Sequence, residues 1–165
     1  MKAVILAGGY GTRLAEKTDV RPKPMVKIGK HPILWHIMKI YTQYNVTDFI
    51  ICCGYKGHVI KEYFLNYHIR HTDVEVDLGR NEATFAKNDS EPWTVNMVST
   101  GDGTMTGGRL KRVRHLLDDE PFFFTYGDGV SDIDIEASLE FHRNHELLAT
   151  MTAVQPPGRF GTFRL

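Results

Sequence analysis

The stretch Gly8–Arg13 carries three glycines within four residues and ends on a threonine and an arginine. Glycine allows the backbone to approach a ligand closely and to adopt positive φ, so exposed N–H groups can converge on an anion. Arg13 and Lys23 would add fixed positive charge beside this loop. Converging N–H groups and two cations suit the phosphates of a nucleoside triphosphate. The sequence therefore indicates a nucleotide site near its N-terminus.

Two better-known glycine loops do not fit this stretch. The dinucleotide-binding pattern G-x-G-x-x-G fails because Leu14 stands where its third glycine belongs. A Walker A loop fails because no Gly-Lys-Ser or Gly-Lys-Thr tripeptide follows the glycines. For the glycines alone, a tight turn that binds no ligand is the alternative interpretation.

Asp128 is the acid best placed to do chemistry. It follows the apolar run Phe122–Tyr126 and lies between Gly127 and Gly129. Open α/β sheets bind ligands at the carboxyl ends of their strands, and Mg²⁺ takes one or two carboxylates together with phosphate oxygens. Asp128 is therefore a candidate magnesium ligand. Gly-Asp-Gly is also ordinary turn chemistry, and the spacing alone leaves both interpretations open.

A second glycine-rich segment, Thr100–Gly108, leads into a helical pattern that begins at Arg109. Its backbone groups could read the edge of a base, and Arg109 would add charge to it. A glycine loop that simply precedes a helix is the alternative.

Short apolar runs alternate with amphipathic patterns, and this order predicts how the candidate residues are positioned. Apolar runs bounded by glycine are typical of strands buried on both faces, and apolar residues three and four apart predict helices. The predicted strands are Ala3–Leu6, Phe49–Cys53 and Phe122–Tyr126, with further ones at Asp73–Leu78, Trp93–Val98 and Ala149–Val154. The predicted helices run from Pro32 to Asn45, over Val59–Tyr67 and Arg109–Leu117, and from an N-cap at Asp134 to about His145, with a hairpin or loop over 81–92. This order favours an α/β fold with a mostly parallel sheet.

Composition argues against several function classes. The 165 residues include 20 Lys+Arg and 20 Asp+Glu, so a net charge of zero gives no bulk field for nucleic acid. No apolar run reaches the roughly 18 residues of a membrane span, and the opening strand pattern leaves no room for a signal segment. Cys52 and Cys53 are adjacent in an apolar run, which favours core residues and a cytoplasmic location.

The motifs Gly9-Tyr-Gly-Thr-Arg-Leu14 and Pro22-Lys-Pro24 resemble the signature of the sugar-nucleotide nucleotidyltransferases, or pyrophosphorylases. The resemblance implies a Rossmann-like three-layer αβα fold in which the glycine loop and its arginine hold the nucleotide phosphates. It implies catalytic roles for Arg13, Lys23 and Asp128, with Asp128 as the Mg²⁺ ligand. The nucleotide contacts that it implies come from Leu6, Ala7, Gly8, Gly9, Gly11, Thr12, Arg13, Lys23, Thr104, Arg109 and Gly127.

Other segments resemble the cytidylyltransferase members of that family. These segments are Cys52–Gly57, Thr100–Asp102, Met105–Val113, Tyr126–Val130 and Pro156–Gly161. They imply CTP and α-D-glucose 1-phosphate as substrates, CDP-glucose and pyrophosphate as products, Mg²⁺ as cofactor and a homo-oligomer, with neither nucleic acid nor membrane as a partner. Two alternatives stay open: a regulatory module that binds nucleotide without catalysis, and a sibling enzyme that uses dTTP or UTP.

The catalytic domain of the family is longer than 165 residues. Residues 1–165 are therefore expected to be its nucleotide-binding part, truncated at the C-terminus. By resemblance, a second metal-binding aspartate, a lysine for the sugar phosphate and much of the sugar pocket would lie beyond Leu165.

Overall fold

A computed structural model describes residues 1–10, 21–86 and 90–154 of the chain. The chain falls into two compact units, Met1–Val130 and Ser131–Leu165. Within the described residues the strands are β1 (Lys2–Ala7), β2 (Lys27–Ile28), β3 (His31–Pro32), β4 (Asp48–Cys53), β5 (Val74–Asp77), β6 (Glu82–Phe85), β7 (Thr94–Ser99) and β8 (Phe123–Tyr126). The α-helices are α1 (Ile33–Thr42), α2 (Gly57–Leu65), α3 (Tyr67–His71), α4 (Thr106–Val113) and α5 (Ile135–His145), and 3₁₀ turns lie at Lys23–Met25 and Arg114–Leu116.

The main sheet has the strand order β7-β4-β1-β8, and all of its pairs are parallel. The chain runs outward from β1 to β4 and β7, and then returns to the other side of β1 to form β8. Leu6 of β1 pairs with both Cys52 of β4 and Tyr126 of β8, so the three strands end at one edge of the sheet. The carboxyl ends of β1 and β8 therefore form the topological switch point of the sheet.

Helices cover both faces of this sheet. On one face, Val4 of β1 and Ile50 of β4 belong to a buried apolar cluster with Val113 of α4. On the other face, the ring of Tyr41 in α1 lies 5.4 Å from the ring of Phe123 in β8. Strands β1 and β4 are apolar on both faces because both faces are covered. The predicted three-layer αβα fold with a mostly parallel sheet is confirmed.

All predicted helices and all but one of the predicted strands are confirmed, with shifts at their ends. Helix α1 begins at Ile33 with Pro32 as its N-cap, and the Asp134 carboxylate accepts the Ala137 N–H at the start of α5, as expected of an N-cap. The 81–92 segment contributes β6, which pairs antiparallel with β5. Helix α4 begins at Thr106 rather than at Arg109, because two glycines in a first turn do not prevent a helix whose later residues are anchored in the core.

The strand predicted over Ala149–Val154 is wrong. These residues have no strand assignment, and no described strand pairs with them. An apolar run shows that a segment can be buried, but a strand also needs a hydrogen-bonded neighbour. The apolar pattern of the segment does not show whether another strand lies beside it.

Candidate functional site

A cleft of about 360 Å³ opens at the carboxyl ends of β1 and β8. Open parallel sheets bind ligands at such a switch point, since the loops that follow the two strands diverge there. The walls of the cleft come from the loop after β1, the Lys23 turn, the loop after β7, the start of α4 and the end of β8. Among the predicted site residues, the cleft brings together Leu6, Ala7, Gly8, Gly9, Lys23, Thr104, Arg109 and Asp128.

Gly8 and Gly9, the two described glycines of the glycine loop, differ in their surroundings. Gly8 is buried, whereas Gly9 is exposed, and no atom of the described residues lies within 4 Å of the place where its Cβ would stand. A Cβ on Gly8 would lie 2.1 Å from Nη1 and 2.3 Å from Cζ of Arg109. Gly8 therefore leaves room for a side chain of the protein itself, while Gly9 leaves a space that none of the described residues fills. The remaining predicted loop residues, Gly11, Thr12 and Arg13, lie outside the described residues.

Arg109 is held inside the frame of the cleft and is only 5% exposed. Its Nη2 donates to the Gly8 carbonyl at 2.9 Å and to the Asp102 carbonyl at 3.0 Å. Its Nη1 donates to Thr100 Oγ1 at 2.7 Å and to the Cys53 carbonyl at 3.4 Å. One guanidinium thus joins the segments at the carboxyl ends of β1, β4 and β7. Within the described residues it forms no ion pair, so carbonyl and hydroxyl oxygens solvate its charge.

Lys23 lies on a rigid turn at the rim of the cleft. The flanking prolines, Pro22 and Pro24, are buried, and the Met25 N–H donates to the Pro22 carbonyl at 2.8 Å. Lys23 Nζ lies 3.7 Å from Oδ2 of Asp128, whose side chain is 43% exposed. Lys23 and Asp128, the cation and the carboxylate to which the family resemblance assigns catalytic roles, are therefore neighbours at the cleft.

Gly127, which precedes this aspartate, contacts the frame rather than open space. Its N–H donates to the Leu6 carbonyl at 2.9 Å, and a Cβ at this position would lie 3.0 Å from the same oxygen. The glycine therefore permits β8 to end close against β1. Its predicted contact with nucleotide stays a prediction.

The cleft also contains residues that the sequence reasoning did not select. Asp102 is exposed and lines the cleft. Tyr10 and Tyr126 are exposed aromatic residues beside the loops, and Met105 precedes α4. The motif Thr100-Gly-Asp102 contained a usable signal for Asp102, because it places an acid in a glycine loop. Nothing in the pattern around either tyrosine distinguished it from a core residue.

The adjacent cysteines take no part in this cleft. Both are buried, and burial raises the pKa of Cys52 and of Cys53 to about 11. Their thiols therefore stay protonated near neutral pH and are poor nucleophiles. The prediction that they are core residues is confirmed.

Comparison with known proteins assigns the chain to a family. The model of the family described as nucleotidyl transferase matches residues 2–165. This chain belongs to that family. A curated nucleotidyl transferase relative, the glucose-1-phosphate cytidylyltransferase of Salmonella typhimurium, is 60% identical over 98% of this chain. The chain spans 63% of the length of that relative.

Solved structures of other proteins share the fold of this nucleotidyl transferase chain. A UDP-glucose pyrophosphorylase complexed with UDP-glucose superposes with a TM-score of 0.62 at 18% identity, over 88% of this chain and 54% of that one. HddC from Yersinia pseudotuberculosis, complexed with GMP-PN, gives a TM-score of 0.61 at 24% identity, over 86% of this chain and 53% of that one. At these identities the likeness concerns the fold alone. Across residues 1–10, 21–86 and 90–154, no helix is both long and apolar enough to cross a membrane.

Proposed function

We propose that the chain is the nucleotide-binding part of a glucose-1-phosphate cytidylyltransferase, which makes CDP-glucose and pyrophosphate from CTP and α-D-glucose 1-phosphate. The observation that carries this proposal is the 60% identity to the Salmonella typhimurium protein of that name. The cleft at the switch point supports it, because a lysine, a carboxylate and open glycine backbone face one space there. The homo-oligomer implied by the family resemblance and the cytoplasmic location favoured by the two cysteines stay predictions.

The proposed reaction needs positioning and charge neutralisation more than a base. An oxygen of the sugar phosphate is already an anion, and it would attack the α-phosphorus of CTP in line. The bond from the α-phosphorus to the bridging oxygen breaks as the new P–O bond forms, and pyrophosphate leaves with the electron pair. Lys23 would offset the charge that builds on the leaving group, together with Arg13. The rigid turn around Lys23 supports this role, because its ammonium is presented from a fixed backbone.

The donor groups at the cleft fit a Mg²⁺ ion whose ligands come partly from the protein and partly from the substrate. Within the described residues, no group of three His, Cys, Asp or Glu side chains could hold a metal ion by itself. Mg²⁺ commonly takes one or two carboxylates and completes its shell with substrate phosphates and water. Asp128 would be that carboxylate. When bound, the ion would neutralise charge on the phosphate oxygens.

The start of α4 offers a second kind of phosphate contact. Met105, its N-cap, makes no side-chain capping hydrogen bond, and Thr106 at the first position lines the cleft. The first N–H groups of a helix have no partner within the helix and favour anions. A nucleotide phosphate in the cleft would therefore find backbone donors at this helix start.

Titration of this chain with CTP, UTP and dTTP, each with Mg²⁺, tests the proposal by calorimetry. We expect CTP to bind most tightly and the variant Lys23→Met to bind it more weakly. Lys27→Met is the matched control, since it removes the same charge from an exposed residue outside the cleft. Equal or tighter binding of UTP or dTTP would refute the choice of CTP.

Pyrophosphate release separates an enzyme from a binding module. The assay combines the chain with CTP, Mg²⁺ and glucose 1-phosphate. Release of pyrophosphate only when the sugar phosphate is present would support the transfer reaction. Tight CTP binding without any release, by this chain and by a chain extended at its C-terminus to the length of its relatives, would favour a module that binds nucleotide without catalysis.

A further inference from the structure

Arg112 lies on α4 close to Arg109 in sequence and reaches back over the loop that follows β7. Its Nη1 donates to the Thr100 carbonyl and, at 2.6 Å, to Oγ1 of Thr104. Both acceptors belong to the loop that forms one wall of the cleft. No motif assigned a role to this arginine, although Thr104 is a predicted nucleotide contact.

The loop backbone is shaped around this guanidinium. Gly101 has φ +82°, which lies in the left-handed region that favours glycine. A Cβ on Gly101 would lie 2.5 Å from Nη1 of Arg112 and 2.9 Å from Oγ1 of Thr104. The conformation and the missing side chain at this glycine both serve the contact between Arg112 and the loop.

Arg109 holds the same loop from its other side. It donates to Thr100 Oγ1 and to the Asp102 carbonyl, whereas Arg112 donates to the Thr100 carbonyl and to Thr104. Two arginines three positions apart on one helix therefore fix the loop between them. Arg109 is buried and Arg112 is exposed, so only Arg112 can be changed without leaving a hole in the core.

The contact with Arg112 also determines which hydrogen-bonding role is left to the Thr104 hydroxyl. A hydroxyl has one hydrogen to donate, and arginine has no acceptor for it. Because Thr104 Oγ1 accepts from Arg112, its own hydrogen is available to another partner. Among the described hydrogen bonds, none uses that hydrogen, and Thr104 lines the cleft.

We propose that Arg112 is a positioning residue that holds Thr104 as a hydrogen-bond donor to an acceptor atom of the nucleotide in the cleft. This inference rests on the proposed function, because it requires a nucleotide there. The acceptor is a nitrogen or oxygen atom with a free lone pair. Ring N3 of cytosine is such an acceptor, whereas N3–H of uracil is a donor; the ribose and phosphate oxygens accept in both nucleotides.

Binding of CTP and UTP to variants of this chain tests the proposal. Arg112→Met and Thr104→Val should each weaken CTP binding about tenfold, the effect of roughly one hydrogen bond. The double variant should be no weaker than either single one, since one residue acts through the other. Thr104→Ser and Arg112→Lys keep a hydroxyl and a donor, and should recover most of the affinity. Lys111→Met, on the same helix and exposed, is the control and should bind as the wild type does.

The acceptor atom is identified by which nucleotide, CTP or UTP, binds more weakly to Thr104→Val than to the wild type. A loss for CTP alone places the Thr104 hydroxyl at ring N3, and an equal loss for UTP places it at an atom that the two nucleotides share. Either result supports the donor role. Unchanged binding of both nucleotides by Thr104→Val, or independent effects of the two substitutions, would overturn it.

Hydrogen exchange without nucleotide separates this inference from the proposed function. In Arg112→Met, the amides of residues 101–104 should exchange faster than in the wild type, while those of β1 keep their protection. Unchanged exchange in the loop would refute the positioning role even if CTP binds. Failure of the wild type to bind any nucleotide would instead refute the proposed function, and the donor role with it.

Discussion

Gly8→Ala should destabilise the protein through a single side chain, that of Arg109. The φ angle of Gly8 is not in the left-handed region, since the glycines with positive φ among the described residues are Gly29 and Gly101. Alanine is therefore allowed by the backbone at position 8. Its methyl group would lie 2.1 Å from Nη1 of Arg109, so the guanidinium must move by more than 1 Å to reach the roughly 3.4 Å of an ordinary contact.

That movement has a cost that can be worked out from the hydrogen bonds. The displaced guanidinium loses its bonds to the Gly8 carbonyl at 2.9 Å and to Thr100 Oγ1 at 2.7 Å. Bonds from a charged donor contribute about 1.5–3 kcal/mol each, so the two together set an upper bound of about 6 kcal/mol. Water from the cleft can replace part of this loss, which leaves an expected loss of about 2–3 kcal/mol. Arg109→Ala should cost a similar amount, about 3 kcal/mol.

A double-mutant cycle in urea, followed by tryptophan fluorescence, measures the coupling. Without the guanidinium, Gly8→Ala has nothing to displace, so it should cost less than about 0.5 kcal/mol in the Arg109→Ala background, a coupling of about 2 kcal/mol. Gly54→Ala is the control. Its Cβ would lie 2.5 Å from Nη1 of Arg109 but also 2.6 Å from the Gly8 carbonyl oxygen, so removing the arginine should not rescue it. Additive free energies for Gly8→Ala and Arg109→Ala would show that the guanidinium does not occupy this space.

Three further outcomes follow from the described contacts. Asp128→Asn should weaken CTP binding in the presence of Mg²⁺ about tenfold and leave metal-free binding nearly unchanged. The exposed control Asp132→Asn should alter neither. Calorimetry with and without the metal measures both kinds of binding. Burial, and then two neighbouring histidines, hold the pKa of His31 below its usual value of 6.5, so the folded state favours the neutral ring. The free energy of unfolding should therefore fall as the pH drops below about 6.5, where the unfolded chain takes up the proton first, and His31→Phe should reduce that slope in urea titrations between about pH 7.5 and 5.5. The thiol of Cys53, with its pKa raised to about 11, should react with a disulfide reagent at pH 8 only as fast as the chain unfolds; rapid labelling of the folded protein would contradict its burial.

The sequence predicted the central strands and the place of the cleft because both depend on local pattern. The apolar runs at Ala3–Leu6 and Phe49–Cys53 are buried on both faces, which is what an unbroken apolar run requires. Asp128 was predicted at the carboxyl end of a strand, and the strand order places that end at the switch point. The strand order itself follows from pairing between distant segments, which local pattern does not contain.

The roles of individual glycines could not be predicted in the same way. A glycine is required wherever a side chain would collide, whether with a ligand or with the protein. Gly8 makes space for Arg109, and Gly127 makes space for the Leu6 carbonyl, while the nucleotide contacts that the motif implies for both backbones stay predictions. The sequence pattern is the same in either case, and only the position of the colliding atom distinguishes them.

The two cations that line the cleft among the described residues, Arg109 and Lys23, differ in what they can do for an anion. Arg109 is buried and donates to four protein oxygens, so its charge is directed into the frame of the cleft. Among the described residues, Lys23 meets one half-exposed carboxylate, that of Asp128, at 3.7 Å, a contact that contributes little in water and can be exchanged for a phosphate. Removing Lys23 should therefore weaken CTP binding and leave the free energy of unfolding within about 0.5 kcal/mol of the wild type. Removing Arg109 should weaken CTP binding and also lower the free energy of unfolding. The same guanidinium holds the loop that carries Thr104 and connects β1 to β7.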